Sequence, residues 1–130
     1  MKKTSKETMR KNEVVELYSI LRELRNGKMS HDGVMAFILM RIKLKKVYDE
    51  FEKAKQEISE QTKPEGFKEG DDVARWNESY APIMEKWLGE ETDRIDTNVL
   101  TPNDFVELVS QTEMTGGVQD LLFERLVKND

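Results

Sequence analysis

The chain carries one histidine, His31, and no cysteine, and these two facts decide most of the chemistry open to its side chains. Zinc and iron sites are built mainly on thiolates and imidazoles, so a single imidazole leaves no ligand set for either. Acyl-transfer chemistry would need His31 as its base, and no serine lies in a strained turn motif to receive it. His31 follows Ser30 at the start of a helical stretch, where a surface or capping role is the simpler reading. Gly116-Gly117 precedes a helix and offers backbone N–H groups to an anion, but neither GxxxxGK[ST] nor GxGxxG surrounds it. The acids Glu90, Glu91, Asp93 and Asp96 offer oxygen ligands to a hard cation without the EF-hand spacing. They read as solvated loop acids, and Asp71-Asp72 as the cap of a helix. No catalytic residue, metal site or cofactor is expected, and the chain is read as a non-enzyme.

Two sets of residues remain that could make contacts outside the chain. The basic cluster Arg41, Lys43, Lys45 and Lys46, together with the basic stretch over residues 1–11, offers charge to phosphate. It lacks interleaved aromatics and glycines, so nucleic acid is the disfavoured partner. The apolar set is Phe51, Ile58, Trp76, Tyr80 and Trp87, which are large side chains on thinly apolar segments and are the candidate protein-binding residues. Met35, Met40 and Met84 would suit an adaptable surface, although core filling is the preferred reading.

The element that positions both sets is Ser30 to Thr62. Ser30 is an N-cap and Asp32 an acid in the first turn, both favourable at a helix start. Val34 to Leu44 is apolar around most of its circumference and is expected to be contacted from several sides. From Leu44 onward the apolar residues thin to a heptad-like line through Val47, Phe51, Ala54 and Ile58. A helix of this length spans about 45 Å, against a radius of gyration of about 14 Å for a compact domain of this size. It is expected to leave the core and project.

Before it, Val14, Leu17, Tyr18, Leu21 and Leu24 share one face of a helix from about Asn12 to Asn26, closed by Gly27. After it, residues 63–70 break the pattern with Pro64, Gly66 and Gly70. Val73, Trp76, Tyr80, Ile83 and Trp87 then recur at helical spacing, so residues 44–89 should form an antiparallel helical hairpin. The expected register sets Ile58 near Val73, Phe51 near Tyr80 and Leu44 near Trp87. Pro82 removes a backbone donor, and a kink or restart is expected near Ser79 to Ala81. Residues 90–100 allow a short strand through Ile95, Thr97 and Val99, with a structured loop preferred because no second strand is evident. Thr101-Pro102-Asn103-Asp104 is a helix start with threonine at N-cap and proline at N1. A last helix follows Gly117.

The expected fold is therefore all-α. It is a bundle of about five helices built on one long central helix, with an antiparallel hairpin projecting from a small core and at most one short strand or β-hairpin. Residues 1–130 form a single domain: a flexible basic arm over 1–11, the hairpin over 44–89, and an acidic loop with two docking helices over 90–130. A hydrophobic fraction of 37% and a charged fraction of 36% fit an elongated helical shape better than a compact sandwich. The net charge of −5 divides unevenly, with 14 basic and 9 acidic residues over 1–59 and 7 against 17 over 60–130. Such halves complement each other within one molecule or between molecules. No apolar run approaches the roughly twenty residues of a membrane span, and no apolar stretch follows the basic amino terminus. A cytoplasmic location is expected, with no membrane partner.

The order of parts is also suggestive. LRELRNGKMS, a long charged helix, WNESYAPIMEKWLGEE, the acidic IDTNVL stretch and TPNDFVELV together resemble a family of small acidic helical proteins of unknown function encoded by phages and prophages. The resemblance lies in the layout of nearly the whole chain. It implies a role in a bacterial host cell or phage particle, with no activity or functional residue to carry over. The expected function is a protein–protein interaction or assembly module: a virion or assembly component, or an inhibitor of a host protein, with the chain itself as one candidate partner. The alternative is a small nucleic-acid-binding regulator using the basic arm and the Arg41 to Lys46 cluster.

Overall fold

The computed structural model describes residues 7–128. Its elements in chain order are β1 (Thr8–Arg10), α1 (Lys11–Leu21), α2 (His31–Thr62), α3 (Ala74–Gly89), β2 (Glu91–Asp93), α4 (Pro102–Val109) and α5 (Gly116–Leu126). The fold is a mostly helical bundle on one long helix, with a single two-stranded sheet.

That sheet corrects the reading of both ends. Thr8, Met9 and Arg10 pair antiparallel with Asp93, Thr92 and Glu91, so this part of the expected basic arm is a strand, while residues 1–6 lie outside the described region. The strand after α3 falls at Glu91–Asp93 instead of the alternation at Ile95 to Val99, and its partner comes from the same chain. Lys11 anchors the junction. Its N–H donates to the Glu90 carbonyl at 2.9 Å, and its ammonium lies 3.3 Å from the Glu90 carboxylate and 4.3 Å from the Trp87 ring centroid. A ladder so short and so far apart in sequence has no hydrophobic period to announce it.

The main core joins Val14, Leu17, Tyr18 and Leu21 of α1, Phe37, Met40, Leu44 and Val47 of α2, and Leu100, Phe105, Leu108, Leu122, Leu126 and Val127 from the carboxy-terminal part. α1 ends at Leu21, earlier than expected, but Leu24 and Met29 still turn inward from the link to α2. Leu100 and Val127 close the end of the chain by a parallel bridge. Thr97 donates its hydroxyl to the Arg125 carbonyl at 2.7 Å, and Asn98 donates its amide to the carbonyls of Glu124 and Val127, each at 2.8 Å. These bonds satisfy carbonyls that α5 leaves open at its end.

Ser30 and Thr101 cap their helices as expected, and Thr115 adds a third cap that starts the last helix at Gly116, before the expected Gly117. Ser30 Oγ accepts from Gly33 N–H at 3.0 Å, Thr101 Oγ1 from Asp104 N–H at 3.2 Å, and Thr115 Oγ1 from Val118 N–H at 3.3 Å. Asp72, rather than capping from the N-cap position itself, accepts the Ala74 N–H at 2.9 Å from one residue before it.

Three packing expectations change. The segment Val34 to Leu44 is not wrapped on all sides: Met35, Leu39 and Ile42 are 46%, 55% and 54% exposed. α3 runs unbroken through Pro82, which is exposed, so the missing donor costs a hydrogen bond without ending the helix. The hairpin register is also shifted. Phe51 meets Trp87, with ring centroids 5.9 Å apart, where Tyr80 was expected, and Leu44 belongs to the main core. The shift is one heptad, and Tyr80 and Trp87 lie on one face, so hydrophobic period does not reveal it; Met84 is buried where Ile83 of the expected stripe is 44% exposed.

Candidate functional site

The hairpin arm holds the expected aromatic set, but packing divides it into a base and a tip. At the base, rings form a continuous line outward from the core: Tyr18 to Tyr48 at 4.8 Å, Tyr48 to Phe51 at 5.8 Å, and Phe51 to Trp87 at 5.9 Å. Arg22 donates to the Tyr48 hydroxyl at 2.9 Å. Bonding from Tyr48 and then Lys55 holds the Glu52 carboxyl below its usual range. Ala54, Ile58 and Met84 form the buried centre of the arm, with Phe51, Tyr80, Trp87 and Leu88 packed against them. Ile58 is therefore an interior residue, and Phe51 and Trp87 are half-buried supports.

At the tip the situation reverses. Ser59, Asp72, Val73, Ala74, Trp76, Asn77 and Tyr80 line an open, mainly apolar depression of about 470 Å³. Its floor is fixed by Trp76, whose indole N–H is directed to the Ser59 carbonyl at 3.1 Å and the Thr62 hydroxyl oxygen at 3.2 Å. Thr62 in turn donates to the Ile58 carbonyl at 2.7 Å. Phe67 from the connecting loop meets the Trp76 ring edge-on at 4.9 Å. Val73 stands at the start of α3 and is 62% exposed.

Of the five expected partner-binding residues, the structure places Trp76 and Tyr80 on this depression and uses Ile58, Phe51 and Trp87 for packing. Val73, expected opposite Ile58 on the hairpin stripe, is exposed instead, because a heptad pattern identifies a face but not where the partner helix ends. The indole clamp depends on backbone carbonyls near the end of α2, which carry no sequence signature.

The basic cluster does not form one surface. At 100° per residue, Arg41 and Lys45 fall on one flank of α2 and Lys43 and Lys46 on another. Arg41 and Lys45 join Tyr18, Arg22 and Ile42 around a depression of about 350 Å³. Their charge is locally engaged: Lys45 bonds Asp49 at 2.9 Å, which raises its pKa, and Arg41 lies 5.0 Å from the Phe37 ring centroid. Lys43 and Lys46 are exposed. His31 is exposed at the first position of α2.

Among the described residues no group of three or more His, Cys, Asp or Glu side chains is arranged to hold a metal. No helix among them is long and apolar enough to cross a membrane. The arrangement at the tip is an open, mainly apolar recess whose indole is held by two hydrogen-bond acceptors of α2. No family model, curated protein or solved structure matches the chain.

Proposed function

We propose that this protein is a non-enzymatic interaction module whose helical arm presents its tip to a protein partner. The observation that carries this reading is the depression lined by Val73, Trp76 and Tyr80, with the indole fixed by its bonds to Ser59 and Thr62. A fixed aromatic in a preformed apolar recess is the kind of anchor that dominates binding energy at protein interfaces. The acidic carboxy-terminal half adds a means of selecting a basic partner. A phage-associated role, as virion or assembly component or as inhibitor of a host protein, belongs to the same proposal and draws on the layout of the chain.

The test is quantitative capture from bacterial lysate by the immobilised protein, run beside Val73→Asp and Tyr80→Ala. Val73 is exposed, so its substitution leaves the fold intact. A protein retained by the wild type and reduced at least about tenfold by Val73→Asp, the size of a single hot-spot loss, supports the reading. Equal retention by all three overturns it.

A further inference from the structure

The solvent face of α2 carries an apolar stripe that the hairpin does not use. Relative to Leu39, Met35 and Ile42 lie within about 60° around the helix, whereas the buried Phe37, Met40 and Leu44 lie at least about 100° away on the other side. All three stripe residues are about half exposed. The stripe is bracketed by opposite charges on the same face, Asp32 seven residues before Leu39 and Lys46 seven residues after it. Both are exposed, and neither makes an ion pair among the described residues.

We propose that two copies of this chain pair antiparallel along this face, with Leu39 at the two-fold axis and Asp32 of each copy against Lys46 of the other. This goes beyond the tip reading and uses a different surface, since positions 39 and 59 of α2 are about 30 Å apart. The equal spacing makes the face complementary to itself, as an isologous interface requires. Rotation about Leu39 brings the aliphatic side chains of one copy onto those of the other and closes two ion pairs at once. A parallel pair would instead set Lys43 and Lys46 of one copy against those of the other, since these two of the basic cluster lie within about 40° of Leu39 around the helix. In the antiparallel arrangement the two Lys46 positions are about 21 Å apart and the two exposed Lys43 positions about 12 Å, both beyond the roughly 8 Å screening length at physiological salt. Three half-exposed side chains from each copy make a small apolar centre beside the ~1,200 Å² or more that stable complexes bury, so the pairing is weak and concentration-dependent, with a dissociation constant on the order of 10–100 μM.

The absence of cysteine from the chain makes single-cysteine cross-linking a clean test. A disulfide needs Cα atoms within about 7 Å, so oxidised Leu39→Cys is expected to form a covalent dimer at least about tenfold faster than Asp32→Cys or Lys46→Cys alone. Mixing the latter two should give a covalent heterodimer. In sedimentation velocity the wild type should shift from 15.2 kDa toward twice that mass with rising concentration. Leu39→Asp should remain at the monomer mass with an unchanged circular dichroism spectrum, and Val73→Asp should pair like the wild type. The proposal is overturned if the wild type stays monomeric to about 1 mM, if Asp32→Cys cross-links with itself as fast as Leu39→Cys, or if Leu39→Asp dimerises normally.

Discussion

The carboxylate of Asp104 grips both polar groups of Ser30: Oδ1 accepts the backbone N–H and Oδ2 accepts the hydroxyl, each at 2.7 Å. Residues 74 apart in sequence are thereby fastened at the point where α2 begins and α4 begins. Ser30 Oγ still accepts the Gly33 N–H at 3.0 Å, so one serine serves as cap and as the carboxylate's donor. Asp104 is 7% exposed. The bonds from the Ser30 backbone and then its hydroxyl hold its pKa below the ordinary carboxylate value.

Removing this carboxylate is expected to be costly and to change the acid limb of stability. Asp104→Ala should lose about 2–3 kcal/mol, the worth of hydrogen bonds to a buried charged group. A folded-state pKa below the unfolded one contributes stability that is complete above the unfolded value of about 3.9 and is lost as pH falls through the folded value. Chemical denaturation from pH 7 to pH 2 should show a shallower acid decline in Asp104→Asn than in the wild type. Parallel declines would mean that Asp104 titrates equally in both states.

Gly33 sits inside α2, where alanine would normally stabilise by about 1 kcal/mol. Here the sign should reverse. A Cβ built on Gly33 falls 2.3 Å from Asp104 Oδ2 and 2.6 Å from its Cγ, so the carboxylate must move off Ser30. Gly33→Ala is expected to destabilise by about 1–3 kcal/mol, in the range of overpacked sites. In an Asp104→Ala background the same substitution should be neutral or stabilising. Additive behaviour in this double-mutant cycle would separate the glycine from the latch.

Pro82 is exposed within the continuous helix α3, so its substitution should relieve a backbone defect without removing a core contact. Pro82→Ala restores a donor toward the Glu78 carbonyl and is expected to stabilise by about 1–3 kcal/mol, read as a rise in thermal midpoint. A fall would mean that the pyrrolidine ring holds the helix in a bend that packing requires.

The parts of this fold legible in sequence are those written in residue type at fixed offsets. Ser30 and Thr101 cap because a hydroxyl three residues ahead of a free N–H group does so wherever it occurs, and the period through Val14, Leu17 and Leu21 names its own buried face. The rest depends on distance in space. Period could not choose between Tyr80 and Trp87 opposite Phe51, because both lie on one face a heptad apart. An apolar run such as Val34 to Leu44 does not say which of its sides a small chain can cover; Met35, Leu39 and Ile42 are left over because α1 and the carboxy-terminal helices supply only one layer. For the candidate site, large aromatics pointed to the arm, but the division into support and surface required knowing where α2 stops.

The two clusters along α2 should also separate in stability. Leu44 is fully buried in the main core, while Ile58 is 7% exposed in the small cluster with Ala54 and Met84. Each truncation to alanine should cost about 2–5 kcal/mol locally, but the arm beyond its aromatic base is joined to the core only by the α2 backbone and the junction of α3 with Lys11 and β1. Regions of few buried contacts open independently of the global transition. In native-state hydrogen exchange, Ile58→Ala is therefore expected to raise exchange over residues 52–88 and leave α1 protected, whereas Leu44→Ala should raise it throughout. Uniform acceleration by Ile58→Ala would show that arm and core unfold as one unit, and the tip depression would then open only with the whole molecule.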